Sequence, residues 1–295
     1  MQPMDYQPAS HTFDCPNAIS GFFTIALQFT RSCNYKCIHC SERDYLPCVP
    51  TDEMLQIVNR LADYGVKRVN VSGGEPTLRH DWIQIIQHMA KRGLNVSLAT
   101  NCSNLTDEAL TELKGAVSNI RISLYGDART HDFVTQHRGS FSIAKFSVKK
   151  AIENGIPVYA CMALMQTNLA QINAVRNICR EWGIEKLLIY SLVPKGRGQD
   201  IFDEESVAAE NVAALVGPPG TLPEVYWHPF DKPGICALIQ ADGSLVATPY
   251  FDSPEGVKVV GCAYKEPLSE LWAKYPFKEN YLEFNGAKLK CATAS

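Results

Sequence analysis

The sequence predicts an α/β protein: a partial barrel of six strand-helix units, (β/α)6, followed by a small C-terminal extension. Strand-like apolar runs alternate with amphipathic helical patterns through roughly the first two hundred residues. Only one helical pattern separates each pair of strands, a connection that makes neighbouring strands pair in parallel. Glycine also closes each of the five helical patterns, where a left-handed C-terminal residue is favoured.

Residues 1–21 are punctuated by Pro3, Pro8 and Pro16 and read as an irregular lead-in carrying Cys15. The barrel is expected over 22–216. Its strands are expected at 23–29, 68–72, 95–100, 119–125, 158–165 and 186–192. Helices are expected at 52–64, 81–92, 107–114, 142–154 and 169–182, with Thr51 as the capping signal of the first and Gly65, Gly93, Gly115, Gly155 and Gly183 after all five. An alanine-rich helical stretch over 201–215 leads to Gly217-Pro218-Pro219-Gly220, which breaks the chain and marks the start of the extension at 217–295. Within it, 237–240 and 245–248 flank Ala241-Asp242-Gly243-Ser244, a hairpin signal. A short last helix at 268–275 offers Leu271 and Trp272 as anchors onto the barrel.

Composition narrows the function. A formal net charge of -3 argues against nucleic acid as a partner, since phosphate binding needs a dense basic surface. No apolar run is long enough to span a bilayer, and the start of the chain lacks a secretory pattern. Eleven cysteines without such a signal point to reduced thiols and metal ligands rather than disulfides, and to a cytoplasmic protein with no membrane partner.

Three of those cysteines, Cys33, Cys37 and Cys40, stand at C-x3-C-x2-C spacing directly after the first strand. Soft thiolates on one short loop can converge on an iron-sulfur cluster, and three ligands for a four-iron cluster leave one iron open. The alternatives are three buried structural thiols or a zinc knuckle with His39 as fourth ligand, although His39 is wedged between two of the cysteines. In a parallel α/β barrel the loops after the strands form the mouth of the active site, so this loop falls there. The second strand runs into Gly73-Gly74-Glu75-Pro76, whose paired glycines permit close backbone approach.

At these residues the sequence resembles the radical S-adenosylmethionine (radical SAM) superfamily, from about residue 24 to 271. The resemblance implies that Cys33, Cys37 and Cys40 hold a [4Fe-4S] cluster whose open iron chelates S-adenosyl-L-methionine (SAM), and that Gly73, Gly74 and Glu75 bind the SAM amino group. It places His39 beside the adenine as packing, Asn101 near the cofactor, and Ser123 against the ribose or carboxylate. Arg138 is either a partner for the SAM carboxylate or a surface residue. The loop 193–198 is expected to help hold the adenine.

The extension resembles the SPASM and twitch modules of that superfamily, through Cys236, Asp242-Gly243, Pro249, Gly261 and the segment 268–272. The resemblance implies one auxiliary [4Fe-4S] cluster held by Cys236, Cys262 and Cys291, although Tyr250 stands where a cysteine is usual. The alternative is a degenerate extension in which these thiols only pack.

By resemblance the enzyme cleaves SAM reductively and abstracts hydrogen from a substrate. A lead-in too short for a leader-binding domain favours a small molecule of sugar, aminocyclitol or nucleoside type over a ribosomal peptide. Dehydrogenation, with the auxiliary cluster taking the electron, is the expected outcome of an oxidoreductase. Epimerisation with a cysteine hydrogen donor, Cys102 or Cys161, is the alternative, and for both residues packing competes with that role. A maturase of ribosomal peptides, rearrangement of the substrate radical, and a non-catalytic iron-sulfur redox protein complete the set. An electron donor such as flavodoxin or ferredoxin is implied.

Overall fold

In the computed structural model, the structure describes residues 21–43, 46–208, 211–212, 221–228, 234–247 and 258–292, with side chains as far as 285 in the last segment. Ten strands form one sheet in the order β10-β9-β8-β1-β2-β3-β4-β5-β6-β7. The six expected strands are its centre: β1 (Thr24–Gln28), β2 (Arg68–Ser72), β3 (Asn95–Thr100), β4 (Asn119–Ser123), β5 (Val158–Leu164) and β6 (Lys186–Ser191), all parallel. The two ends of the order do not pair with each other among the described residues, so the barrel is partial.

One face of the sheet is apolar. Ile25, Val69 and Val96 are in register, as are Leu27, Val71, Leu98, Ile120 and Val158, and all belong to the buried core. Helices cover this face with stripes at helical spacing: Met54, Ile57, Val58 and Leu61 on α1 (Thr51–Tyr64), then Trp82, Ile85, Ile86 and Met89 on α2 (Trp82–Lys91). The layer continues through α3 (Asp107–Leu113), α4 (Ala128–Thr135), α5 (Ser140–Glu153), α6 (Gln166–Leu169) and α7 (Ile172–Trp182). The five expected glycines all adopt positive φ at or just after the helix ends. Thr51 is not a cap: it lies in the first turn of α1 and its hydroxyl donates to Asp81 Oδ2 at 2.6 Å.

The opposite, inner face is polar. Asn70, Ser97 and Asn119 are in register there, as are Arg121, Tyr159, Lys186 and Glu224, with Ser123 beside Cys161 nearer the mouth.

Four elements depart from the expectation. The helix α4 and the strand β7 (Glu224–His228), parallel to β6, have no counterpart in the sequence reading. The helix expected at 169–182 begins earlier and divides into α6 and α7. Of the helix expected over 201–215, α8 (Phe202–Glu205) follows a 3-10 turn at Gly198–Ile201, and Ser206 turns extended.

Beyond residue 220 the chain remains part of the same sheet. Strand β8 (Ala237–Ile239) pairs parallel with β1, and β9 (Ser244–Ala247) and β10 (Lys258–Cys262) follow antiparallel. Two helices, α9 (Leu268–Lys274) and α10 (Lys278–Ala292), return to β1. Leu271 is buried, Trp272 packs edge-on against Phe22 at 4.8 Å, and Tyr281 is fully buried. The Tyr281 hydroxyl meets Phe23 N, Thr24 N and Thr24 O at 2.7 to 2.8 Å. Among the described residues, no helix is long and apolar enough to cross a membrane.

Candidate active site

Phe29 N bonds Ser72 O and prolongs the β1-β2 ladder by one step; the chain then leaves the sheet as the cysteine loop. That loop is held from three sides. From the exit of β2, Gly74 N donates to Thr30 O at 2.7 Å and Glu75 N to Ser32 O at 2.8 Å. The approach requires glycine, because a Cβ on Gly73 would stand 2.3 Å from Thr30 O and one on Gly74 2.3 Å from Ser32 O. From the end of α4, the carbonyls of Thr135 and Val134 accept from Lys36 N and Ile38 N, using acceptors that a helix terminus leaves open. Next to this contact Tyr35 stacks on His137, with ring centres 4.3 Å apart.

The third side is the loop after β6. Arg197 N donates to Cys40 O and Arg197 Nε to Cys37 O, each at 2.8 Å. Gly196 makes this possible, since a Cβ there would fall 2.4 Å from the Ser41 carbonyl carbon.

Cys33 is exposed, and Cys37 and Cys40 are half-buried. Cys33 Sγ accepts from Tyr35 N at 3.4 Å and lies 3.9 Å from Asn101 Nδ2. Burial raises the Cys33 thiol, and pushes the Cys37 thiol up to about 12 with the help of its neighbours Cys40 and Cys33. These thiols must shed their protons to bind metal. Among the described residues, no three His, Cys, Asp or Glu side chains meet the geometry of a single metal ion. Three mutually coupled soft donors on one pinned loop fit an iron-sulfur cluster, whose cysteines each bind a different iron.

Glu75 is fully buried. Its carboxylate accepts from Thr77 N (3.1 Å), Thr77 Oγ1 (2.7 Å), Thr100 Oγ1 (2.7 Å) and Asn101 N (2.6 Å), tying the exits of β2 and β3 together. Burial still holds its carboxyl above the ordinary range, against those bonds. Asn101 Nδ2 donates to Asn34 Oδ1 at 2.8 Å, so the same knot reaches the cysteine loop.

His39 Nε2 lies 3.0 Å from the Tyr125 hydroxyl, while its Nδ1 is buried without a hydrogen-bond partner among the described residues. Burial, helped by the charges of Arg197 and His131, lowers its pKa to about 4. Its ring is therefore neutral and packs under the loop. Ser123 is half-buried on the inner face. Arg138 is exposed in the turn between α4 and α5.

The two candidate donor thiols separate. Cys161 pairs in register with Ser123 on the inner face and is half-buried there. Cys102 is 2% exposed and belongs to the core under the helices, where it lines a groove with Leu105, Ile143 and Phe146. Its φ of 72° turns the chain sharply at the end of β3, and the side chain follows into the helix layer. This burial supports packing, the competing role for Cys102, over that of a donor at the mouth.

The extension cysteines also separate. Cys262 pairs with Ser244, beside the hairpin turn and the mouth end of β1. Cys236 precedes Ala237, which pairs with Ala247 at the other end of the hairpin. Gln240 N bonds Ser244 O, so the two cysteines are offset by four residues, about 13 Å along the strands, and by two strand spacings across them. One cubane does not bridge that separation, so Cys236 and Cys262 do not form one ligand set as the hairpin stands. The Cys291 side chain and the whole of Cys15 lie outside the described residues.

The residues missed in the sequence are those that hold the loop: Tyr125, the end of α4, and Arg197. Only Arg197 left a signal, flanked as it is by Gly196 and Gly198 in a loop already expected near the cofactor.

The family model described as "Radical SAM superfamily" matches residues 27–176. An AdoMet-dependent heme synthase of Methanosarcina barkeri is 32% identical over 190 residues, 62% of this chain and 54% of the relative. The Fe-coproporphyrin III synthase of the same organism is 28% identical over 196 residues, 65% of this chain and 49% of the relative. The chain thus spans about half the length of these curated relatives. Streptococcus suis SuiB bound to its precursor peptide SuiA superimposes with a TM-score of 0.64 at 15% identity, over 92% of this chain and 68% of that one, a likeness of fold alone.

Proposed function

This chain belongs to the radical SAM superfamily, and from that premise we propose that it moves a hydrogen atom on a polar substrate held against the inner face of the barrel, with Cys161 as the returning donor. Its cofactors are the [4Fe-4S] cluster and SAM, which together supply a 5′-deoxyadenosyl radical able to take hydrogen from an unactivated carbon. The observation that carries the reading is the position of Cys161: of the two thiols considered as donors, it alone stands on the inner face.

Each residue then has a bounded task. The polar inner face, from Asn70 and Ser97 through Arg121 and Ser123 to Tyr190, suits a substrate with several hydrogen-bonding groups, of sugar, aminocyclitol or nucleoside type. Ser123 and Tyr125 orient the cofactor side, and Cys161 reaches the carbon from below. Once the carbon has lost its hydrogen, the Cys161 S–H bond breaks and a new C–H bond forms on the opposite face. The thiyl radical left behind is reset by one electron from a low-potential donor of flavodoxin or ferredoxin type and one proton from water. Such chemistry belongs in the reducing cytoplasm.

Dehydrogenation is the second reading, favoured by the SPASM-like course of the extension. There the substrate radical gives one electron to an auxiliary cluster and one proton to solvent. A peptide is the further substrate class, and the panel below includes it. Anaerobic turnover in heavy water, with SAM and dithionite over a panel of sugars, aminocyclitols, nucleosides and peptides, separates the readings. We expect 5′-deoxyadenosine and a product of unchanged formula carrying one deuterium at an inverted carbon. A product two hydrogens lighter would sink the Cys161 reading in favour of the second.

A further inference from the structure

Arg197 stands 160 residues beyond the cysteine loop yet makes two bonds to it, one from its backbone and one from its side chain. Gly198 N adds a third, to Cys40 O at 3.3 Å. Both acceptors are carbonyls of cysteines that ligate the cluster, so the guanidinium is fixed against the ligand loop rather than free to swing into solvent. The bond from Nε leaves it half-buried, where a charge is screened less than at the surface. The loop carrying it cannot be displaced cheaply, because Gly196 is packed against the backbone of Cys40 and Ser41, and Gly198 against Val193 O and His39 O.

We propose that Arg197 is a positioning residue for the cluster: its Nε bond to Cys37 O pins the ligand loop, and its charge raises the reduction potential of the [4Fe-4S] centre. Reduction places one electron, taken from the external donor, on [4Fe-4S]2+ to give [4Fe-4S]+. The added negative charge is stabilised by a fixed cation nearby, so the reduced form is favoured; net charge and hydrogen bonding around the ligands are among the terms that set such potentials. The effect does not depend on which substrate the enzyme takes, so it can fail without touching the reading above, and the converse holds.

The test uses the full chain, reconstituted anaerobically without SAM, as wild type, Arg197→Gln and Arg197→Lys. Iron and sulfide content, far-UV circular dichroism and an EPR-monitored redox titration are read for each. Every variant keeps the backbone bond from residue 197. Arg197→Gln loses the charge, and we expect the preference for the reduced cluster to weaken about tenfold, a midpoint about 59 mV more negative. Arg197→Lys keeps the charge, and its midpoint should stay close to wild type while its iron content falls. A purely structural role would lower iron content in both and leave the midpoint of the retained cluster unmoved, which overturns the electrostatic half. Loss of iron from a folded Arg197→Gln supports the pin. Full iron at the wild-type midpoint in both variants overturns the proposal.

Discussion

Arg79 and Asp81 form a bidentate ion pair inside the protein, Nε to Oδ1 at 2.6 Å and Nη2 to Oδ2 at 2.9 Å, with their side chains only 5% and 3% exposed. The remaining guanidinium nitrogen, Nη1, reaches Phe29 O at 3.3 Å and Val49 O at 2.9 Å, the two ends of the segment that contains the cysteine loop. The pair is thus the floor on which the loop stands. Asp81→Asn leaves a buried cation without its countercharge, and the expected cost is about 3–5 kcal/mol, read as a lower urea midpoint. Burial alone would raise the Asp81 carboxyl, but the bonds from Arg79 and Thr51 more than offset it, so it titrates below the ordinary range. Its contribution is complete above the unfolded carboxylate pKa and is lost as pH falls through the depressed folded value.

Cys33, Cys37 and Cys40 should each be indispensable. Alanine at any one removes a ligand from a three-cysteine set, and 5′-deoxyadenosine formation from SAM and dithionite is expected to vanish. Product from any of the three variants at the wild-type rate would refute the cluster assignment.

His131 offers a stability test away from the ligands. Burial lowers its pKa to about 4, against a smaller opposing effect of Asp132. The unfolded chain takes up this proton near pH 6.5, well before the folded chain does, so this group should make stability fall as pH drops from about 7 to about 4 and cause no further loss below that. His131→Gln is expected to flatten this part of the profile in urea melts. An unchanged slope would mean that the ring is charged in the fold.

The two thiols make opposite predictions. Cys102→Ala should leave turnover intact and cost about 1 kcal/mol of stability, an ordinary core substitution. Cys161→Ala should leave the stability nearly unchanged, still yield 5′-deoxyadenosine, and abolish deuterium incorporation at the inverted carbon. Retained stereochemical inversion with incorporated deuterium in that variant would reassign the donor.

Glu75→Gln places an amide NH2 where every neighbour is a donor: Thr77 N and its hydroxyl, the Thr100 hydroxyl and Asn101 N. One buried donor loses its acceptor whichever way the amide turns, at about 1–3 kcal/mol. Thermal melts of the variant should show the loss, together with weaker retention of iron, because Asn101 carries the knot into the loop.

The legible part of this fold was its periodic part. Strands such as 68–72 and 95–100 coincide with β2 and β3 because apolar alternation and flanking glycines leave little freedom. The cysteine loop and Gly73-Gly74-Glu75 were legible because few local patterns place three thiols and two glycines at the ends of consecutive strands. The helix α4 was not, since two of the three buried members of Ala128–Thr135, His131 and Thr135, are polar, only Val134 is apolar, and Phe133 faces outward, so no core face is advertised. Strand β7 was hidden by its half-buried, aromatic and charged composition. Nothing local distinguishes Cys161 from Cys102; their different surroundings follow from strand register for the one and from a left-handed backbone for the other. The separation of Cys236 from Cys262 likewise follows from hairpin register, which is invisible until the pairing is known.

Strand β1 lies between β2 and β8, one neighbour about 40 residues on and the other more than 200. During synthesis the first edge can be covered early, but the second waits for residues 237–239, and the clamp from Tyr281 follows later still. At ribosomal rates of roughly 5–20 residues per second, that delay is on the order of 10–40 s. Throughout it the nascent chain presents an unpaired strand edge immediately before the three-cysteine loop, an invitation to foreign strands. The strand from which the ligand loop springs is thereby the last of the central strands to have both edges covered, closed only when the late hairpin arrives.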